Sequence, residues 1–253
     1  MSATVAQILE LVNGIAPFEL AEPWDNVGLL AGDPKTSVER VLCALDLRMD
    51  VLEEAQRKGC RLIVTHHPIL FRGRKNLCET DAEGRLLCAL VRAGIALVAA
   101  HTNFDNASPG VNDALAAALG LENVTALENG MRLGEIKQTD FGMLCRAAQA
   151  ALHGPVRCYG DAARPVRRIA VLGGAGEDFA CEARAAGADV YLTGEMAYHK
   201  ALDAADNGLC VVEAGHAATE TPAISLLASG LQKAADAVKC DICVLQSESE
   251  VFF

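Results

Sequence analysis

Arg40-VLCALDLRMDVLEEAQRKGCRLIV-Thr65 reads as strand, helix, strand. An apolar run at 40–46 is followed by a helix-forming stretch at 50–58, and Gly59 precedes a second apolar run at 61–65. Two strands joined by a helix lie parallel in one sheet. The same stretch aligns without gaps on Arg168-IAVLGGAGEDFACEARAAGADVYL-Thr193, with Asp50/Asp178, Glu54/Glu182, Ala55/Ala183 and Gly59/Gly187 coincident. Further on, Gly94-IALVAA-His101 matches Gly208-LCVVEAG-His216 with one residue inserted. The repeated unit is far longer than that of a solenoid. The chain is therefore expected to be α/β: two duplicated, related halves with mainly parallel sheets and helices on the faces.

Working outward, helices are expected at 4–13, 80–93 and 109–119 and a strand at 95–100. Ser108-Pro109 is placed to open the helix at 109–119, and Gly120 to close it. The second half should carry strands at 167–173, 189–193 and 209–213 and helices at 177–186, near 197–206, and from about 222. The loop-like Glu122–Gly130 suggests a boundary, giving halves at 1–126 and 127–253 that are free to interleave.

At 253 residues the chain is long enough to bury a core without disulfides or structural metal. Apolar residues make up 51% and aromatics 4%, so that core is aliphatic and disorder is excluded. A net charge of −11 argues against nucleic acid or an anionic membrane as partner. The N-terminus has no secretory leader pattern, and the longest apolar run, Ile95 to Ala100, is too short to span a bilayer. A cytoplasmic protein is expected, its ten cysteines reduced. Cys43, Cys60, Cys78, Cys88, Cys145, Cys158, Cys181, Cys210 and one of the last pair are scattered through apolar segments and are expected to pack as small hydrophobes. Cys240-Asp241-Ile242-Cys243 reads as a strand, which would point its two thiols to opposite faces and disfavour a chelate.

The chemistry lies instead in the histidines. His66-His67, His101-Thr102-Asn103-Phe104-Asp105 and His216-Ala217-Ala218-Thr219-Glu220 each read as a loop directly after a strand. Open α/β sheets bind ligands at the carboxyl ends of their strands. Two of these loops share a His-x3-acid spacing at equivalent positions of the repeat, so each half would offer a pair to a common cleft. Imidazole and carboxylate donors without thiolate suit zinc, manganese or iron(II). Six donors exceed what one zinc takes but suffice for two divalent ions, with a bridging carboxylate. Such pairs of ions activate water and clamp the attacking and leaving atoms of a displacement.

Trp24-DNVGLLAGD, Thr65-HHPILFRG, His101-TNFDNASPGVND, Val190-YLTGEMAYH and Gly215-HAATE resemble, in order and over nearly the whole chain, the Nif-three-like family often labelled GTP cyclohydrolase I type 2. The resemblance implies a dinuclear centre held by His66, His67, His101, Asp105, His216 and Glu220, a duplicated α/β architecture, and a ring-shaped homohexamer. It points to a metal-dependent hydrolase opening the ring of a nucleotide-like substrate. Two positions depart from the family pattern: Ala217 stands where an aromatic is usual, and Pro109 where a glycine is usual. Neither is a donor, but the pocket beside Ala217 is altered.

Other residues admit two readings. His199 serves as a general acid/base or as a hydrogen-bonded structural histidine. Glu195, at the position of His67 in the repeat, is a candidate for orienting a ligand. Arg72, Arg74 and Lys75 form a basic run that receives a substrate phosphate or is a solvated loop. Trp24 is placed to stack on a purine, and the glycines of 173–176 suit a phosphate turn or tight strand–helix packing. The competing function is a non-catalytic metal-binding regulator, store or assembly factor using the same six donors.

Overall fold

A computed structural model describes residues 3–249. The chain forms two compact units, one of residues 3–107 with 224–249 and the other of residues 108–223.

In the first unit, β1 (Ala3–Thr4) leads into α1 (Val5–Ile15). Thr4 and Gln7 form a reciprocal capping box there, with Thr4 N–H donating to Gln7 Oε1 at 2.9 Å. β2 (Gly28–Ala31), β3 (Ser37–Val38) and β4 (Arg40–Ala44) follow, then α2 (Met49–Arg57) and β5 (Leu62–Thr65). Next come α3 (Ala82–Ala93), β6 (Ala96–Ala99) and the short α4 (Thr102–Asn106). Asp81 caps α3 by accepting Gly84 N–H at 2.7 Å, and Gly94 ends it at φ +62°.

The second unit begins with α5 (Val111–Ala118), β7 (Glu122–Ala126), β8 (Arg132–Asp140), α6 (Phe141–Leu152) and β9 (Arg157–Tyr159). It continues through β10 (Pro165–Ala175), α7 (Ala180–Ala185), β11 (Val190–Glu195), α8 (Tyr198–Asp206) and β12 (Cys210–Glu213). The boundary after Ala223 falls within α9 (His216–Ala237), and β13 (Cys243–Gln246) belongs to the first unit.

Each unit is built on a sheet with a parallel centre. The first has the order β13-β4-β5-β6-β2, with only β2 antiparallel. The second has the order β7-β8-β10-β11-β12-β9, with β10, β11 and β12 parallel. Val41 lies opposite Leu62 in one sheet and Ile169 opposite Val190 in the other, so the aligned residues occupy the same register. β5 and β6 are buried at every position, as a parallel strand covered on both faces must be. The core is aliphatic: Leu42, Leu52, Ile63, Leu90 and Leu97 in one unit, Ile169, Val171, Leu192 and Val212 in the other. Among the described residues, no helix is long and apolar enough to cross a membrane.

Several details depart from expectation. The units divide at 107/108 and 223/224 rather than near 126, because β13, from the far end of the chain, pairs with β4. The expected boundary loop is in fact the strand β7, bound to β8 at the sheet edge; its exposure at every position leaves no apolar alternation to read. Antiparallel β8 and β9 and helix α6 had no counterpart in the repeat-based reading. Helix α5 is capped at Gly110, whose N–H meets the Asp113 carboxylate at 2.9 Å, so Ser108-Pro109 precedes the helix instead of opening it. Helix α7 is shorter than the expected 177–186. Only Cys243 of the C-x-x-C lies in a strand. Cys78, Cys158, Cys181 and Cys243 are exposed, so not every thiol is packing.

Candidate metal centre

The first unit gathers His66, His67 and His101 at the carboxyl ends of β5 and β6. One ring nitrogen from each lies within 4.8 Å of the other two. The imidazole centroids are 4.9 to 5.6 Å apart. Each Nδ1 is engaged. His66 Nδ1 is 2.9 Å from Ala100 O, His67 Nδ1 is 2.8 Å from Asp46 Oδ1, and His101 Nδ1 is 2.9 Å from Asp25 Oδ1. A carbonyl or carboxylate oxygen can only accept, so each Nδ1 carries its proton and the Nε2 lone pair is the one a metal would meet. Asp105, on α4, sets Oδ1 3.7 Å from His66 Nε2.

The support behind His101 is itself fixed. The Asp25 side chain has no exposed surface and accepts Thr102 N–H at 3.0 Å, the Thr102 hydroxyl at 2.6 Å and Asn26 N–H at 2.8 Å. Burial pushes the Asp25 carboxyl up, but hydrogen bonds from Thr102 and His101 outweigh it and hold the group below the usual carboxylate range. Burial, followed by the neighbouring His66, lowers the pKa of His101 despite Asp25. His101 thus favours the neutral form that binds metal.

In the second unit the donors lie on a helix rather than in a loop. α9 begins at His216, not near 222, so His216 and Glu220 are one turn apart on one face, with Nε2 3.2 Å from Oε1. Glu195 Oε2 is 3.4 Å from His216 Nδ1, where it can orient the ring. The Thr219 hydroxyl donates to His216 O at 2.7 Å and accepts Gly174 N–H at 3.1 Å, tying the first turn to β10. Two glycines make room for this turn. A Cβ on Gly174, which has φ +65°, would lie 2.4 Å from Glu220 Oε1, and one on Gly194 would lie 2.8 Å from His216 Cα. In the repeat, Gly174 and Gly194 stand where the first copy has Asp46 and His66. The first copy carries Asp46 and His66 at these strand ends, and the second has glycines that leave room for α9.

Three imidazoles and a carboxylate in the first unit are nitrogen and oxygen groups suited to borderline divalent ions, and the imidazole–carboxylate pair of the second unit has the same chemistry. Trp24, 60% exposed, meets Phe71 edge-on at 5.8 Å and His101 at 6.5 Å. His199 is exposed at the start of α8, its ring 5.2 Å from that of Tyr198. The glycines of 173–176 serve packing: Gly176 O accepts the Tyr191 hydroxyl at 2.8 Å, and α7 begins only at Ala180. Sequence reasoning overlooked Asp46 and read Asp25 only as part of a turn. Asp46 lies just past the end of β4 and ahead of α2, a position too ordinary in sequence to single it out.

The chain matches the family described as Duf34/NIF3 (NGG1p interacting factor 3) over residues 3–250. It is 32% identical to a Clostridium acetobutylicum protein named GTP cyclohydrolase 1 type 2 homolog, over 99% of this chain and 98% of that one. A Streptomyces coelicolor protein of the same name is 36% identical over 97% and 91%. The solved structure of a Staphylococcus aureus hypothetical protein superposes with a TM-score of 0.95 at 29% identity, covering 100% and 99% of the two chains.

Proposed function

The chain belongs to the Duf34/NIF3 family, and from that premise we propose that it is a dinuclear metal-ion-binding protein and a metal-dependent hydrolase acting on a nucleotide-like substrate. His66, His67, His101, Asp105, His216 and Glu220 would hold two divalent ions: zinc, manganese or iron. The observation that carries this reading is the engagement of all three Nδ1 atoms by Ala100 O, Asp46 and Asp25. Structural histidines have no need to be locked in one tautomer with the opposite nitrogens gathered together, whereas metal ligands do.

Bound ions supply Lewis acidity and activate water for hydrolysis. The protein's own groups do the rest. Asp25, held by Thr102, and Asp46 keep His101 and His67 oriented, and Glu195 does the same for His216. Trp24 and Phe71 offer aromatic faces and edges beside His101 to a planar ring. His199 is assigned the movement of protons to and from the substrate. The name shared by the curated relatives suggests opening of a GTP ring as the reaction class. A ring of six chains is the proposed assembly.

The test is GTP turnover by metal-loaded protein and by Asp105→Ala. Product from the parent, with a loss of about 100-fold or more in the variant, supports the hydrolase. Equal product from both removes this centre from the reaction. Tight metal loading with no turnover of any nucleotide, ester or amide leaves the binding-only regulator, store or assembly factor.

A further inference from the structure

Beside the histidine cluster, and wholly within the first unit, is a cleft of about 720 Å3. That is within the roughly 300–1,000 Å3 typical of small-molecule sites. One wall is the turn at Asp25 and Asn26, which Asn26 Nδ2 ties to the opposite loop by donating to Leu70 O at 2.7 Å. The cleft therefore shares Asp25, the residue that orients His101, with the metal centre.

Its lining has two characters. Phe71, Leu77 and Val91 are 45%, 51% and 59% exposed, a concentration of large apolar side chains left open to solvent on one surface. Arg72, Arg74 and Lys75 line the same cleft, in which Asp25, its carboxylate turned to His101 and Thr102, is the acidic lining residue. Arg74 is consumed locally, bound to Asp81 at 2.8 Å and Glu83 at 3.0 Å, and so anchors the loop. Arg72 and Lys75 make no ion pair among the described residues. In a chain with a net charge of −11, two unneutralised cations beside an exposed apolar floor demand an explanation. A solvated loop would account for the cations but not for the apolar floor.

We propose that this cleft is the subsite for an organic phosphate. Its planar apolar body would lie against Phe71 and Leu77, and its phosphate would be held by Arg72 and Lys75. Guanidinium and ammonium groups are the usual phosphate donors, and the fork of Arg72 suits a bidentate contact. Arg72 and Lys75 are then specificity-determining residues that bind the anion at a place apart from the metal ligands. The assignment deepens the nucleotide-hydrolase reading and rests on it for the choice of probe.

The experiment is calorimetric titration of metal-stripped protein with guanosine diphosphate, guanosine and pyrophosphate. Guanosine diphosphate is expected to bind without metal and more tightly than either fragment. Arg72→Ala with Lys75→Ala is expected to weaken it by about tenfold or more, the size of a lost charge-assisted contact, and to leave guanosine unchanged. Leu77→Asp is expected to weaken guanosine as well. Both cations are exposed, and unchanged thermal melting shows that the fold is intact. Binding that requires metal, or that ignores the double variant, overturns the subsite and leaves the metal reading standing. Absent binding, together with a change of particle mass in the double variant, overturns it in favour of a contact between copies of the chain. Arg72-dependent and Lys75-dependent binding in a protein that takes up no metal keeps the subsite and removes the metal reading.

Discussion

At the scale of single residues, the informative groups are those one step behind the donors. Asp25 and Asp46 would touch no metal, yet each fixes the tautomer and the aim of an imidazole. Partners of this kind typically cost about 10- to 100-fold in metal affinity when replaced. Asp25→Asn and Asp46→Asn are each expected to weaken binding by that much in competition with a chromophoric chelator, with the circular dichroism spectrum unchanged. Affinity equal to the parent in both would mean that the hydrogen bonds are incidental. The candidate donors were legible as candidates in the sequence, because histidine and carboxylate recurred directly after apolar runs. Asp46 was not, since a lone acid ahead of a helix is ordinary, and only the folded sheet edge sets it beside His67.

At the scale of elements, the βαβ units were legible because buried parallel strands make short, unbroken apolar runs. The register of β4 on β5 and of β10 on β11 follows from the same letters in both copies. What escaped was polar or misleadingly punctuated. β7 is exposed throughout, and the helix expected from about 222 begins at His216, with Pro222 inside it. The hydroxyl of Thr221, just before that proline, donates to Ala217 O at 2.7 Å. An ion pair links α5 to β8: Arg132, 3% exposed, holds Asp113 through two hydrogen bonds of 2.8 and 2.7 Å. Burial raises the Asp113 pKa, but Arg132 and the Gly110 N–H more than offset it, so the folded value is below the usual one. A lowered folded pKa stabilises the fold above the unfolded value of about 3.9 and is lost as pH falls through the folded value. Asp113→Asn leaves the Arg132 charge buried and is expected to cost about 2–4 kcal/mol at pH 7. In urea unfolding, the gap between parent and variant should hold at neutral pH and narrow below about pH 4. A gap that stayed constant down to pH 3 would assign the effect to packing alone.

At the scale of the whole molecule, the duplication explains why one set of strand ends carries three histidines and the other carries glycines. Divergence of the copies left histidines at the ends of β5 and β6 in one and a histidine–glutamate pair on the first turn of α9 in the other. The interleaving of the units could not be read from the repeat, because it depends on β13 pairing with a strand some two hundred residues earlier. Against the excess negative charge, the Arg72–Lys75 cleft is a local concentration of cations, and the proposed ions would be another. The central claim is that six residues hold two ions. It is tested most directly by counting zinc bound per chain after equilibrium dialysis, for the parent and for His67→Ala and His216→Ala. The account predicts two ions per chain in the parent and fewer in each variant; one ion or none in the parent, or full loading in both variants, would contradict it.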